Sequence, residues 1–88
     1  MEAKATTSEH GDIFYHNENG QYHREDGPAI EHSKGTKQWY LNGLSHREDG
    51  PAVVHSNGSK SWYLNDIYLT KYEWKVEMRQ KKLALMGL

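Results

Sequence analysis

Apolar and polar positions alternate with a period of two through most of this chain, and the alternating stretches recur every 23 residues. Such alternation marks half-buried strands, and short strands punctuated by Asn-Gly pairs mark hairpins. Asn42-Gly43 and Asn57-Gly58 are two-residue turn signals, because both positions accept the positive φ that a tight hairpin needs. Lys34-Gly35 and Asn65-Asp66 stand at the equivalent places. After Leu69 the alternation stops. Thr70-Lys71-Tyr72-Glu73 has the form of a capping box, and no Gly or Pro interrupts the chain again until Gly87. The pattern predicts a helix over 71–86.

The repeat is literal in places: "HREDGPA" occupies His23–Ala29 and again His46–Ala52, and Trp-Tyr-Leu-Asn occurs at Trp39 and at Trp62. A spacing of 20 to 50 residues signals an array of one supersecondary unit. The predicted fold is mainly β: a single antiparallel meander sheet of about three 23-residue repeats, capped by one C-terminal α-helix. Residues 1–12 carry no pattern and are expected to form a flexible segment, with the sheet over 13–69 and the helical region over 70–88. In the HREDG turn, Asp is expected to accept backbone donors, Gly to take positive φ, and the Arg to pair with the Asp across its own turn.

Two-residue turns at each Xaa-Gly pair make Val53 face Trp62, His55 face Lys60 and Pro51 face Leu64. The earlier copy then places Ile30 against Trp39, His32 against Lys37 and Pro28 against Leu41. Around Asn42-Gly43, Trp39 faces His46 and Leu41 faces Leu44, and Trp62 meets Leu69 around the last turn. This pairing puts two Trp, four Leu, Ile30 and Val53 on a core face. The opposite face gathers Tyr22, Tyr40, Tyr63 and Tyr68, with Ala29, Ala52, Ser45 and Ser61 between them. On the helix, Tyr72, Val76, Leu83 and Met86 share one side, and Trp74, Met78 and Leu85 lie opposite.

Composition narrows the chemistry. At 88 residues the chain has one thin core, burying only roughly 60 to 65% of its unfolded surface. Eleven basic and twelve acidic residues give a net charge of −1, with no broad field for nucleic acid or anionic membrane. There is no cysteine, hence no disulfide and no thiolate metal site. No apolar run is long enough to span a bilayer and the N-terminus lacks a signal-peptide stretch, so the expected location is cytoplasmic.

Six histidines invite a metal-site reading. The predicted pairing sets His32 and His55 beside lysines and His46 against Trp39, and no HExxH-type pattern accompanies them, so a structural role is the expectation and neither a metal nor another cofactor is assigned. Glu48-Asp49 and Glu25-Asp26 are adjacent turn residues whose carboxyls point apart, unlike a general acid and base held across a cleft. No nucleophile triad or phosphate loop is present, so no catalytic residue is assigned and no enzyme is expected. A tyrosine row suits protein recognition, since each ring offers large area with two torsions to freeze. The same row could stack bases, with Arg79-Gln80-Lys81-Lys82 as the basic element, which makes nucleic-acid binding the alternative. Trp74, Met78 and Leu85 form a second candidate surface, a ridge for a homodimer or a partner.

"HREDGPA" and "WYLNG" resemble the MORN-like β-hairpin repeats of bacterial and phage proteins, over roughly Phe14 to Leu69. The N-terminal "FYHNENG" departs by an enlarged turn, and the last copy by Asp66 in place of Gly. The resemblance implies a single-sheet binding scaffold. It further implies a small phage-encoded protein that occupies and inhibits a host protein in the host cytoplasm, for example a defence complex such as CRISPR-Cas.

Overall fold

The computed structural model describes residues 3–87; positions 1 and 2 of the expected N-terminal segment and position 88 of the helical region lie outside the described residues. The chain is mainly β with one C-terminal helix, spread into a slab of 48 × 32 × 17 Å. A seven-stranded antiparallel sheet runs in the order β1 (Lys4–Thr7), β2 (Ile13–His16), β3 (Ile30–Glu31), β4 (Lys37–Gln38), β7 (Val53–Val54), β8 (Lys60–Leu64), β9 (Ile67–Leu69). β5 (Tyr40–Leu41) and β6 (Leu44–Ser45) form a separate two-stranded hairpin, and α1 spans Lys71–Leu85.

The expectation that residues 1–12 are flexible is corrected for 4–7. Lys4–Thr7 pairs with β2 in the register Ala5 to Tyr15 and Thr6 to Phe14. Its side chains are all exposed, so it shows no apolar alternation. It nevertheless completes the first unit. Three equivalent units follow one another at 4–23, 28–46 and 51–69, each a pair of hairpin arms with a turn at one end and a tip at the other. Matched hydrogen bonds join each unit to the next. Tyr15 N–H donates to Ala29 O (2.8 Å) as Trp39 N–H donates to Ala52 O (2.7 Å), and Gly43 N–H donates to Tyr22 O as Asp66 N–H donates to Ser45 O. Arg24 N–H donates to Tyr40 O as Arg47 N–H donates to Tyr63 O, and Ser33 N–H reaches Asp12 Oδ1 as Ser56 N–H reaches Thr36 Oγ1. Tyr15, not Phe14, therefore occupies the place of Trp39, and His16 occupies that of Tyr40. One extra residue in the first tip absorbs the difference.

The two tips Asn42-Gly43 and Asn65-Asp66 are two-residue turns, with φ of 50° and 82° in the first and 50° and 69° in the second. They set the expected pairs Leu41 to Leu44 and Trp62 to Leu69. The other turns differ from expectation. His55 N–H bonds Ser59 O and Gly58 N–H bonds His55 O, so the loop is Ser56-Asn57-Gly58, with positive φ (91°) at Gly58 alone. Ser33-Lys34-Gly35 repeats it. A third residue in the loop shifts the register by one: Val53 pairs with Ser61, and Ile30 with Gln38. Each one-residue shift exchanges faces. Val53 does not face Trp62, nor Ile30 Trp39.

By strand alternation, Tyr15, Ala29, Trp39, Ala52 and Trp62 lie on one side, while Phe14, Ile30 and Val53 lie on the tyrosine side. The buried residues are small or sit at unit junctions. Ala29 and Ala52 are 0% exposed, and Ile30, Val53, Ser45, His23 and His46 are also buried; Leu44, expected in the core, is exposed. Burying Ile30 and Val53 contributes about 1.5 to 3 kcal/mol each.

The HREDG turns are the links between units, and their Arg, Asp and Gly serve the same purpose in both copies. Arg47 donates from Nε to Asp49 Oδ1 (2.8 Å) and from Nη1 to Pro51 O (3.0 Å), with its Cζ 3.8 Å from the Trp39 ring centroid. Arg24 does the same with Asp26, Pro28 and the Tyr15 ring. The expected Arg–Asp pairing is present, but Gly27 and Gly50 do not have positive φ. They are glycines because a Cβ there would lie 2.9 Å from the Arg24 or Arg47 Cζ.

The helix begins with the predicted capping box: Thr70 Oγ1 accepts from Glu73 N–H and Glu73 Oε1 accepts from Thr70 N–H. It folds back over the Trp62 side toward the second link. Trp74 Nε1 donates to Arg47 O (2.9 Å), and Lys81 Nζ meets Glu48 Oε2 at 2.6 Å.

Candidate functional site

Tyrosines reach one surface because the tips repeat. Tyr22, Ser45 and Tyr68 are equivalent positions, as are His16, Tyr40 and Tyr63, and each tip pairs one set with the other: His16 with Tyr22, Tyr40 with Ser45, Tyr63 with Tyr68. Ring centroids stand 5.4 Å apart for His16 and Tyr22, 5.6 Å for Tyr22 and Tyr40, and 5.6 Å for Tyr63 and Tyr68. Phe14 stacks on Tyr22 at 6.0 Å. The result is an aromatic band in two clusters on one face, Phe14, His16, Tyr22 and Tyr40 over the first two units and Tyr63 with Tyr68 on the third.

The band has exposed ends and a covered middle. Tyr22 is 38% and Tyr68 61% exposed, whereas Tyr40 and Tyr63 are half-buried. Burial raises the Tyr40 hydroxyl pKa above its ordinary value, and the Asp66 carboxylate and the neighbouring Tyr22 and Tyr63 add to that. The hydroxyl therefore stays neutral and able to donate. Phe14 and His16 belong to the band although the sequence reading placed neither there. Their signal was the alignment of Tyr15 with Trp39, which an unshifted comparison of "FYHNENG" with "WYLNG" conceals.

The helix ridge is divided by the structure. Trp74 and Met78 face the sheet side, Trp74 through its bond to Arg47 O, and Leu85 points away at 82% exposure. Met78 lines, with Leu64, Ile67, Leu69 and Lys81, a groove of about 650 Å³ between the last hairpin and the helix. Trp74, Met78 and Leu85 are consequently not one exposed ridge; the large apolar residues left outward on α1 are Tyr72, Leu83, Leu85 and, at its cap, Met86.

The histidines divide too. His23 Nδ1 accepts the Asn42 N–H (2.9 Å) and His46 Nδ1 accepts the Asn65 N–H (3.0 Å), so each buried histidine holds the tip of the following unit. With Nδ1 accepting, the His46 proton is on Nε2 and donates to Glu48 Oε2 at 2.9 Å. His32 and His55 are not beside lysines: the shifted register sets them opposite Thr36 and Ser59, and His32 Nδ1 lies 3.8 Å from Asp12 Oδ1. Among the described residues no group of three or more histidine or carboxylate side chains is placed to hold a metal ion.

The carboxylates are likewise engaged. Hydrogen bonds from Lys81 and then His46 hold the Glu48 pKa below the ordinary carboxylate value, and the Ser33 backbone N–H does the same for Asp12. Asp26 and Asp49 pair with arginines inside their turns. Of the run Arg79–Lys82, Lys81 is paired with Glu48. No described helix is long and apolar enough to cross a membrane. Comparison with family models, with curated proteins and with solved structures returns no match to this chain.

Proposed function

We propose that this chain is a non-enzymatic protein-binding module whose contact surface is the aromatic band built on Tyr22, Tyr40, Tyr63 and Tyr68. The observation that carries the reading is the shared tyrosine face: ring-to-ring spacings of 5.6 Å for Tyr22–Tyr40 across the first junction and for Tyr63–Tyr68 within the third unit, with Tyr22 and Tyr68 exposed. Rigid aromatic anchors lose little entropy on binding and are enriched where interfaces concentrate their energy. Nucleic acid fits less well. Arg24 and Arg47 are stacked on Tyr15 and Trp39 on the other side of the sheet and tied to aspartates, and Asp66 rather than a base stands beside Tyr40. The MORN-like resemblance adds a target class, a host protein such as a defence complex met in the host cytoplasm.

The test uses a substitution the chain already contains. Ser45 occupies in the second unit the place of Tyr22 and Tyr68, so Tyr22→Ser with Tyr68→Ser is compatible with the fold. Affinity capture from host lysate compares this double variant with wild type, folding being checked by circular dichroism. A protein retained by wild type and lost from the folded variant is the expected result. Equal retention, or recovery of nucleic acid sensitive to salt, would overturn the reading.

A further inference from the structure

We propose that the cleft between the two HREDG links, over Trp39, docks a basic helical segment of a partner protein that carries an indole and, two turns later, a lysine or arginine. The chain closes the counterpart of this cleft with its own helix. Trp74 Nε1 donates to Arg47 O and Lys81 Nζ meets Glu48 Oε2, so α1 lies against the second link. Met78, between those two residues, lines the space under the helix with Leu64 and Ile67. Equivalent units of a repeat array present equivalent surfaces. One unit earlier the same places are held by Arg24, Glu25, Leu41 and Leu44, and no residue of α1 lines the cleft beside them.

The groups that hold α1 at the second link are unbonded at the first. Arg24 O, the counterpart of the indole acceptor, takes no hydrogen bond among the described residues. Glu25, the counterpart of Glu48, is exposed and has no ion pair among them. His23 is only 9% exposed, and because its Nδ1 accepts the Asn42 N–H its proton is on Nε2. His46 gives the corresponding proton to Glu48, while His23 gives it to no group among the described residues. Leu44, whose counterpart Ile67 lines the space under Met78, is 40% exposed.

Charge decides the sign of the occupant. The cleft has a volume of about 400 Å³, and its walls carry Glu25, Asp26, Glu48 and Asp49 against the guanidiniums of Arg24 and Arg47. Each guanidinium is tied to the aspartate of its own turn, and Lys81 answers Glu48, so Glu25 is left as the carboxylate without a cation. Such a site attracts a positive group. Arg47 rests on the Trp39 ring, whereas Thr70 stands in its place beside Trp62, so the cleft over Trp39 is the narrower of the two. It admits side chains from a helix lying across the links rather than the helix itself, whose diameter is about 10 Å. The occupant is therefore a basic amphipathic helix, with an N–H donor for Arg24 O, a cation for Glu25 and an apolar residue between them to cover Leu41 and Leu44.

The test uses a peptide of residues 70–87, which carries the indole and the lysine at the required interval, added to the isotopically labelled full chain and followed by nuclear magnetic resonance. An isolated helix this short is marginal in water, so the affinity expected is about millimolar. Binding should move the Trp39 indole and His23 ring signals and leave the Trp74 indole signal of the labelled chain where it is. Glu25→Gln, at a side chain that bonds nothing in the fold, removes one charge-assisted hydrogen bond and should weaken binding at least about tenfold. A peptide carrying Trp74→Phe and Lys81→Gln should lose at least as much. No shift at Trp39 with millimolar peptide, or equal binding by the Glu25→Gln chain, would overturn the proposal. So would movement of the Trp74 signal, which marks exchange of α1 at the second link. The tyrosine face lies on the other side of the sheet and is untouched by any of these results.

Discussion

Replacing His46 by alanine removes the group that fastens the third unit to the second. The imidazole is buried, its Nδ1 takes the Asn65 N–H at 3.0 Å, and its Nε2–H meets Glu48 at 2.9 Å. Losing the acceptor forfeits about 1 kcal/mol and strands a tip donor at a cost of about 1 to 3 kcal/mol. The Glu48 contact is half exposed and adds less than about 1 kcal/mol. The expected loss is about 3 kcal/mol. That is a large part of the stability of a chain this size, which is on the order of 5 to 10 kcal/mol, and it lowers Tm by roughly 12 to 24 °C. Asparagine places its Oδ1 near the position of Nδ1, so His46→Asn should recover at least about 1 kcal/mol. Urea unfolding followed by tryptophan fluorescence measures both. An alanine variant within about 0.5 kcal/mol of wild type, or one equal to the asparagine variant, would refute the assignment of the histidine as the junction acceptor.

Other consequences are open to the same assay. Gly50→Ala pushes the guanidinium off Trp39 and should cost about 1 to 2 kcal/mol, but almost nothing in an Arg47→Ala background, since the clash and the lost stacking are one event. Trp74→Phe removes the indole donor to Arg47 O and should cost about 1 kcal/mol, with near-ultraviolet dichroism reporting a looser helix. Glu48, Glu73 and Asp12 all have pKa values lowered in the folded chain, by Lys81, by the Thr70 backbone N–H and by the Ser33 backbone N–H respectively. Their contribution is complete above the ordinary carboxylate range and is lost as pH falls through the lowered values. Stability should therefore drop below about pH 4, and Glu48→Gln with Glu73→Gln should flatten that drop without moving the neutral-pH plateau upward; a drop of unchanged steepness in the double variant would contradict the linkage.

What could be read in the letters depended on how many conformations each dipeptide serves. Asn42-Gly43 and Asn65-Asp66 fit a two-residue turn, and the strands around them paired as expected. Asn57-Gly58 carries the same signal, yet Ser56 joins it in a three-residue loop with only the glycine at positive φ. The one-residue difference moved Ile30 and Val53 to the tyrosine side and Ala29 and Ala52 to the tryptophan side. β1 had no apolar alternation to read, because its side chains are all exposed and its place comes from backbone pairing alone. The structural use of His23 and His46 was expected, but its form was not. Its trace is the constant interval from each histidine to the first tip residue it holds, His23 to Asn42 and His46 to Asn65. Tyr40, Tyr63 and Tyr68 share a face because they flank the two-residue tips Asn42-Gly43 and Asn65-Asp66, and Tyr22 joins them because the first tip carries its extra residue inside the loop, leaving His16 opposite Tyr22.

The most direct measurement of the binding account is calorimetric titration of the captured protein with wild type, with the Tyr22→Ser, Tyr68→Ser variant, and with Leu85→Ser as a control on the outward face of the helix. Two exposed anchors of a recognition surface contribute about 2 kcal/mol each, so the double variant should bind at least about 100-fold more weakly while the control matches wild type. Unchanged affinity in the tyrosine variant, with loss in Leu85→Ser, would place the interface on the helix and contradict the account.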